Sequence, residues 1–152
     1  MDNTNPDPAL HDVVDTQTVV FRLSDESYGV DIFRVNEIIR PREITPIPLS
    51  EPHIMGLVNL RGKTIPVVDL CASLQLASSE STHASRIIVV ETEQGNVGMM
   101  VDAVTEVVTL LAEEIEDAPE LVTEVDNDFV RGVAKRNQGL ITLLDLDQAL
   151  AA

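Results

Sequence analysis

The 152-residue sequence predicts an all-β protein built as two small barrels from one repeated unit, and three observations carry that prediction. The apolar residues are overwhelmingly Val, Ile and Leu, with three Phe, one Tyr and no Trp, so the interior is made of branched aliphatics that favour pleated surfaces. The stretch Gly56-Leu57-Val58-Asn59-Leu60-Arg61-Gly62-Lys63-Thr64-Ile65-Pro66-Val67-Val68-Asp69-Leu70 reads as a strand, an Asn-x-Arg-Gly turn, a second strand and an Asp-Leu helix entry. It recurs about 70 to 76 residues later as Phe129-Val130-Arg131-Gly132-Val133-Ala134-Lys135 followed by Leu140-Ile141-Thr142-Leu143-Leu144-Asp145-Leu146. Each copy offers roughly five short strands between turn signals, and so small a sheet avoids open edges most simply by curling into a barrel.

Residues 1–16 are polar and acidic with two prolines and read as a disordered tail. Thr18–Leu23 and Tyr28–Ile32 form a predicted hairpin about the turn Ser24–Ser27. In Phe33–Ile39 the alternation places Val35, Glu37 and Ile39 on one side and Asn36 and Ile38 on the other. Prolines 41, 46 and 48 remove backbone donors and make Arg40–Leu49 a loop or an edge. Ser50-Glu51-Pro52 reads as the N-terminus of a short helix that Gly56 ends. Asp69 caps a second short helix, and the Ser/Thr-rich stretch 77–85 links two halves, 17–76 and 86–150. The second half restarts with Ile87–Glu91 and Val97–Val101, where Gly98 answers Gly29, and Val104–Val108 answers Val35–Ile39. The acidic loop Leu111–Pro119 answers the proline-rich loop, Arg131-Gly132 answers Arg61-Gly62, and Asp145 caps a closing helix, Leu146–Ala151.

Net charge is −16, from 26 acidic and 10 basic residues, a field that repels nucleic acid and anionic lipid and favours partners with positive patches. A single cysteine, Cys71, fits a reducing compartment, and the chain shows neither a signal peptide nor an apolar run of membrane-spanning length, so a cytoplasmic protein is expected. No cofactor is expected. Gly62-Lys63-Thr64 resembles the end of a phosphate-binding loop, but the glycine spacing is wrong and Ile65-Pro66 stands where a helix must begin. Histidines 11, 53 and 83 lack metal-ligand spacing, and Cys71 reads as an apolar filler. Asp69 and Asp145 suit helix capping better than acid–base chemistry, and the twin placement puts them in separate halves. Glu37 with Arg61, repeated as Glu106 with Arg131, supports two readings: a charge-assisted bond that fixes a turn, or direct contact with a partner. The acidic run Glu113, Glu114, Glu116, Asp117, Glu120 and Glu124 reads as a solvated face, with a rim contact that sets partner choice as the alternative.

Tyr28-Gly29-Val30-Asp31-Ile32, Val35-x-Glu37-Ile38, Gly56-x-x-Asn59-Leu60-Arg61-Gly62 and Ile65-Pro66-Val67-Val68-Asp69-Leu70 together resemble the CheW-type coupling proteins of bacterial chemotaxis. Gly98-x-x-Val101-Asp102-x-Val104 and Leu143-Leu144-Asp145-Leu146 extend the resemblance over residues 17–150. It implies two five-stranded SH3-like β-barrels and a non-enzymatic scaffold joining the regulatory domain of the histidine kinase CheA to chemoreceptor cytoplasmic tips at membrane-associated arrays. A coupler of a pilus, twitching or other receptor pathway is the alternative. The resemblance implies receptor contact or its support at Val35, Glu37, Gly56, Asn59 and Arg61. It implies one kinase contact at Ile32, Ile44 and Pro46, and a second, ring-closing one at Glu116, Glu120 and Leu121. Glu116 stands where family members can carry a basic residue, and Cys71 where the family often has Arg.

Overall fold

The structure is a computed structural model that describes residues 15–78, 80–117, 125–136 and 139–150. Its strands are β1 (Thr16–Leu23), β2 (Glu26–Asp31), β3 (Val35–Ile39), β4 (Ile54–Leu60), β5 (Lys63–Asp69), β6 (Arg86–Thr92), β7 (Gly95–Val101), β8 (Ala103–Leu110), β9 (Ile115–Glu116), β10 (Val130–Arg136) and β11 (Gly139–Leu144). Two four-residue helices, α1 (Leu70–Ser73) and α2 (Leu146–Ala149), follow β5 and β11. The strands form a six-stranded sheet ordered β8-β1-β2-β11-β10-β9 and a five-stranded sheet ordered β3-β6-β7-β5-β4. The all-β, two-part architecture is the predicted one, and most of the expected tail lies outside the described residues, with β1 already under way at Thr16.

The halves of the sequence repeat are not the units of this fold. Each sheet takes strands from both sides of the 77–85 connection: β1 and β2 join β8 to β11, while β6 and β7 join β3 to β5. Four pairings make the exchange: antiparallel β1–β8 and β3–β6, and parallel β2–β11 and β5–β7, the parallel ones setting Leu143 opposite Gly29 and Val67 opposite Gly98. The repeat survives as a register. Val20 opposite Glu106 in β1–β8 matches Val89 opposite Glu37 in β6–β3, each beside a bulge. The hairpin β10–β11 copies β4–β5 at an offset of 76, with Gly132 opposite Leu143 as Gly56 is opposite Val67.

That register corrects three expectations. Gly132 is the counterpart of Gly56, not of Gly62, and the position that answers Arg61 falls at residue 137, outside the described residues. Glu106 and Arg131 are accordingly not an ion pair among the described residues, since Arg131 lies at the bulge of β10 rather than at a hairpin tip. The helix expected over Ser50–Gly56 is absent, because Ile54–Leu60 is taken up whole by antiparallel pairing with β5. The closing helix stops at Ala149.

Three apolar clusters follow from the exchange. β1 and β6 are buried on both faces, which is why they read as continuous aliphatic runs rather than alternating ones. One face of each fills its own barrel: Val20 sits with Leu110, Ala134, Ile141 and Leu143, while Ile87 and Val89 sit with Val58, Leu60, Ile65 and Val67. The other face, Val19, Phe21 and Leu23 from β1 with Ile88 and Val90 from β6, forms a third core between the barrels, joined by Tyr28, Val68 and Met99. Ile88 is fully buried there, and Ile88→Ala is expected to cost about 2–5 kcal/mol. The strands are shared, so urea unfolding should show one cooperative transition with a lowered midpoint rather than separate loss of one barrel.

Candidate functional site

The predicted receptor-contact residues gather where the second sheet closes. β3 and β4 are its outer strands, and three contacts bring them together. Thr45, in the middle of the proline-rich segment, exchanges both backbone hydrogen bonds with Leu57 of β4 at 2.8 Å. The Arg42 guanidinium donates to the Asn59 carbonyl at 3.2 Å. Arg61 meets Glu37 of β3 in a two-pronged ion pair, Nη2 donating to Oε1 at 2.8 Å and Nη1 to Oε2. The prolines thus leave a backbone able to pair at one residue, an edge rather than a free loop.

Gly56 makes that closure possible. Its φ is +146°, and a Cβ there would lie 2.2 Å from the Thr45 carbonyl oxygen and 2.8 Å from Ile44 Cγ2. Gly132 does the same in the first sheet, where a Cβ would lie 2.8 Å from the Glu116 carbonyl oxygen. Glu116 is therefore the positional twin of Thr45, exposed on the short strand that closes the other barrel.

The β4–β5 connection has two residues with positive φ at both, 52° at Arg61 and 81° at Gly62, the twist that two-residue hairpins require. Asn59 Oδ1 accepts from the Gly62 amide at 3.1 Å and braces the turn. The Arg61 side chain is 72% exposed while Glu37 is 25% exposed, so the carboxylate anchors and the guanidinium faces solvent. Bonding to Arg61 holds the Glu37 carboxyl below the usual carboxylate range, and Glu37 in turn raises Arg61, so both stay charged at neutral pH. The turn-fixing reading of this pair is thus realised within the barrel. Arg42, which no sequence motif marks, belongs to the same constellation and also lowers Glu37.

Val35 heads β3, half-buried against the core between the barrels, and Val104, its counterpart in β8, packs on the same core. The positions expected to meet the kinase are more dispersed. Ile32 packs on the core between barrels, Ile44 on the interior of the second barrel, and Pro46 is exposed. Beside Ile32, Phe33 is 84% exposed, because a 3-10 turn over Ile32–Arg34, capped by the Asp31 carboxylate accepting from the Phe33 amide, rotates it out of the β3 alternation. Glu120 and Leu121 lie outside the described residues.

Both aspartates cap helices, Asp69 accepting from the Cys71 amide at 3.1 Å and Asp145 from the Gln148 amide at 3.2 Å, and they follow strands of different sheets. Among the described residues no group of three or more His, Cys, Asp or Glu side chains is placed to hold a metal ion. Cys71 is buried, and burial, with Asp102 and Asp69 adding to it, pushes its thiol up to about 12 from an ordinary 9.0. A thiol so raised stabilises the fold fully below the unfolded value and loses that contribution as pH climbs through the folded one. Stability is therefore expected to fall as pH rises from about 9 towards 12. Thiol reagents at pH 8 should label the native protein far more slowly than the urea-unfolded chain.

Fold and seam together define a paired-barrel module in which each sheet is closed by a segment running close past a glycine, Gly56 or Gly132. The chain belongs to the CheW-like domain family, which matches residues 17–152. It is 33% identical to the chemotaxis protein CheW of Rhizobium meliloti over 131 residues, covering 86% of this chain and 84% of that protein. It is 33% identical to the chemotaxis protein CheW of Bacillus subtilis over 132 residues, 87% and 85% of the two chains. The crystal structure of the scaffolding protein TtCheW from Thermoanaerobacter tengcongensis superposes with a TM-score of 0.84 at 39% identity, covering 91% of this chain and 94% of that one. No described helix is long and apolar enough to cross a membrane.

Proposed function

We propose that this protein is a non-enzymatic adaptor of chemotaxis signalling, coupling chemoreceptor cytoplasmic tips to the regulatory domain of the histidine kinase CheA at receptor arrays on the inner face of the membrane. Family membership and likeness to a scaffolding protein over nearly the whole chain support the role. The observation that carries the site is the second-barrel seam, where Glu37, held by the barrel, presents the exposed Arg61 guanidinium outward. Val35, Glu37, Asn59 and Arg61 then serve the receptor contact, with Gly56 setting the backbone beneath them. Ile32, Ile44 and Pro46 serve one kinase contact, and Glu116, Glu120 and Leu121 the second. An adaptor transfers no chemical group, and its free energy comes from matched apolar patches with charged rims that set register.

The test is reconstitution. Receptor cytoplasmic fragments templated on vesicles are mixed with the kinase, and phosphate incorporation is followed as this protein is added. A saturable change in kinase activity that requires both receptor and adaptor is expected. An unchanged rate with all three components present would overturn the proposal.

A further inference from the structure

The chain passes from one sheet to the other twice, from β2 to β3 and from β7 to β8, and the two crossings are fastened differently. The second is one residue, Asp102, between Val101 and Ala103. Its backbone amide donates to the Arg22 carbonyl of β1 at 3.0 Å, and its carboxylate accepts from the Ser24 amide at 2.6 Å. The first is the three-residue 3-10 turn over Ile32–Arg34. By the register that matches Val20 with Val89, the Glu91 carbonyl of β6 stands there where the Arg22 carbonyl stands in β1. A side chain now takes the place of the backbone donor. Arg34 Nε and Nη2 donate to the Glu91 carbonyl at 3.1 and 3.0 Å, and Nη2 also donates to Asp147 Oδ1 of α2 at 2.9 Å. The other polar ties of the turn, the Asp31 cap on the Phe33 amide and the Val35 amide donating to the Ile32 carbonyl, are internal to residues 31–35. The Arg34 fork instead fastens that segment to β6 and α2.

We propose that Arg34 is a positioning residue of the coupling role, pinning the β2–β3 crossing so that occupation of one contact alters affinity at the other. The inference rests on the receptor and kinase readings above, and it needs no contact between Arg34 and either partner. The crossing is where those readings meet in the chain: Ile32, on the kinase side, opens the turn, and Val35 and Glu37, on the receptor side, follow it in β3. Coupling between two sites has to be carried by a physical element that both of them bias. A turn held by its own cap alone absorbs a displacement of β3. A turn bolted to β6 passes that displacement to Ile32, which packs with Val35 on the core between the barrels. The guanidinium suits the task because its fork is planar and pre-organised, and bonds from a charged donor to a carbonyl are the stronger kind. The leg to Asp147 is weaker, since that carboxylate is 65% exposed and an exposed ion pair contributes little. Glu91 is therefore the anchor and Asp147 orients the fork.

The experiment titrates the kinase regulatory domain into the intact protein with and without saturating receptor cytoplasmic fragment, and the ratio of the two dissociation constants reads the coupling. Wild type should give a ratio that departs from one by about fivefold or more. Arg34→Ala should bind each partner alone within about twofold of wild type, with an unchanged urea midpoint, while its ratio falls to within about twofold of one. In the free protein, hydrogen exchange at the Phe33 and Val35 amides should quicken about tenfold in that variant, with the β1 and β6 amides unchanged. If Arg34→Ala does not fold, Arg34→Lys, which keeps the stem and charge but loses the fork, carries the same expectations. Asp147→Ala leaves both bonds to Glu91 and should keep the wild-type ratio, and its loss there would overturn the assignment of the anchor to β6. A wild-type ratio of one, a folded Arg34→Ala that keeps the wild-type ratio, or unchanged exchange at Phe33 and Val35 overturns the inference while leaving the adaptor role standing. So does an Arg34→Ala loss of affinity for one partner alone that matches the loss of coupling, which would make Arg34 a direct contact. If wild type binds neither partner, the adaptor reading itself fails and the inference falls with it.

Discussion

Gly56→Ala is expected to lower the unfolding free energy by about 3 kcal/mol or more, the largest stability loss for a single methyl group anywhere in the seam. Two costs combine. At a φ of +146° an L side chain is strained whatever space surrounds it, and here the new Cβ would sit 2.2 Å from a backbone oxygen, so Thr45 must move. Moving Thr45 breaks the two 2.8 Å hydrogen bonds to Leu57 that close the barrel. Gly62→Ala supplies the control, since it also has positive φ but meets nothing within 4 Å, and it should cost only about 1 kcal/mol. Gly132→Ala, with a 2.8 Å approach to the Glu116 carbonyl and no positive φ, should fall between them. Urea midpoints of the three variants test the order. A Gly56→Ala midpoint equal to that of Gly62→Ala would show that the closing segment yields freely.

Arg61→Ala is expected to reduce receptor affinity by about tenfold or more while leaving the urea midpoint nearly unchanged. The guanidinium is largely exposed, and its bond to Glu37 is a surface ion pair, so its removal leaves the backbone turn in place, still braced by Asn59. The exchanged pair Glu37→Arg/Arg61→Glu separates the two uses of these residues. It can rebuild a bridge across the seam, yet it presents a carboxylate where wild type presents a guanidinium. If the pair serves only to fix the turn, the exchange should restore receptor binding. On the present account it keeps the fold and still fails to bind.

Much of this was legible in the chain because local chemistry and the fold agree. Asp69 and Asp145 stand one residue before their helices in both copies, and capping is a local event that sequence shows directly. The Val35, Glu37, Ile39 alternation predicted the side of β3 that is half-buried. Pairing between copies was not legible, because a repeat reports that two units are alike and not whose strands they join. The dipeptide Arg131-Gly132 invited alignment with Arg61-Gly62, yet only backbone register shows that Gly132 shares the close carbonyl approach of Gly56. From sequence, Gly56 reads as a helix end because Ser50-Glu51-Pro52 has the composition of a helix start. The need for a glycine there arises from Thr45, eleven residues earlier, which no local pattern reveals.

On the proposed function, one barrel seam carries the receptor contact separately from the kinase contacts. The most direct measurement titrates the receptor fragment and the kinase regulatory domain, each alone and then together, against wild type and Arg61→Ala, with circular dichroism confirming the fold. The account predicts that wild type binds both at once and that Arg61→Ala keeps the kinase domain while losing the receptor fragment. Retention of both partners by a folded Arg61→Ala, or equal loss of both, would contradict it.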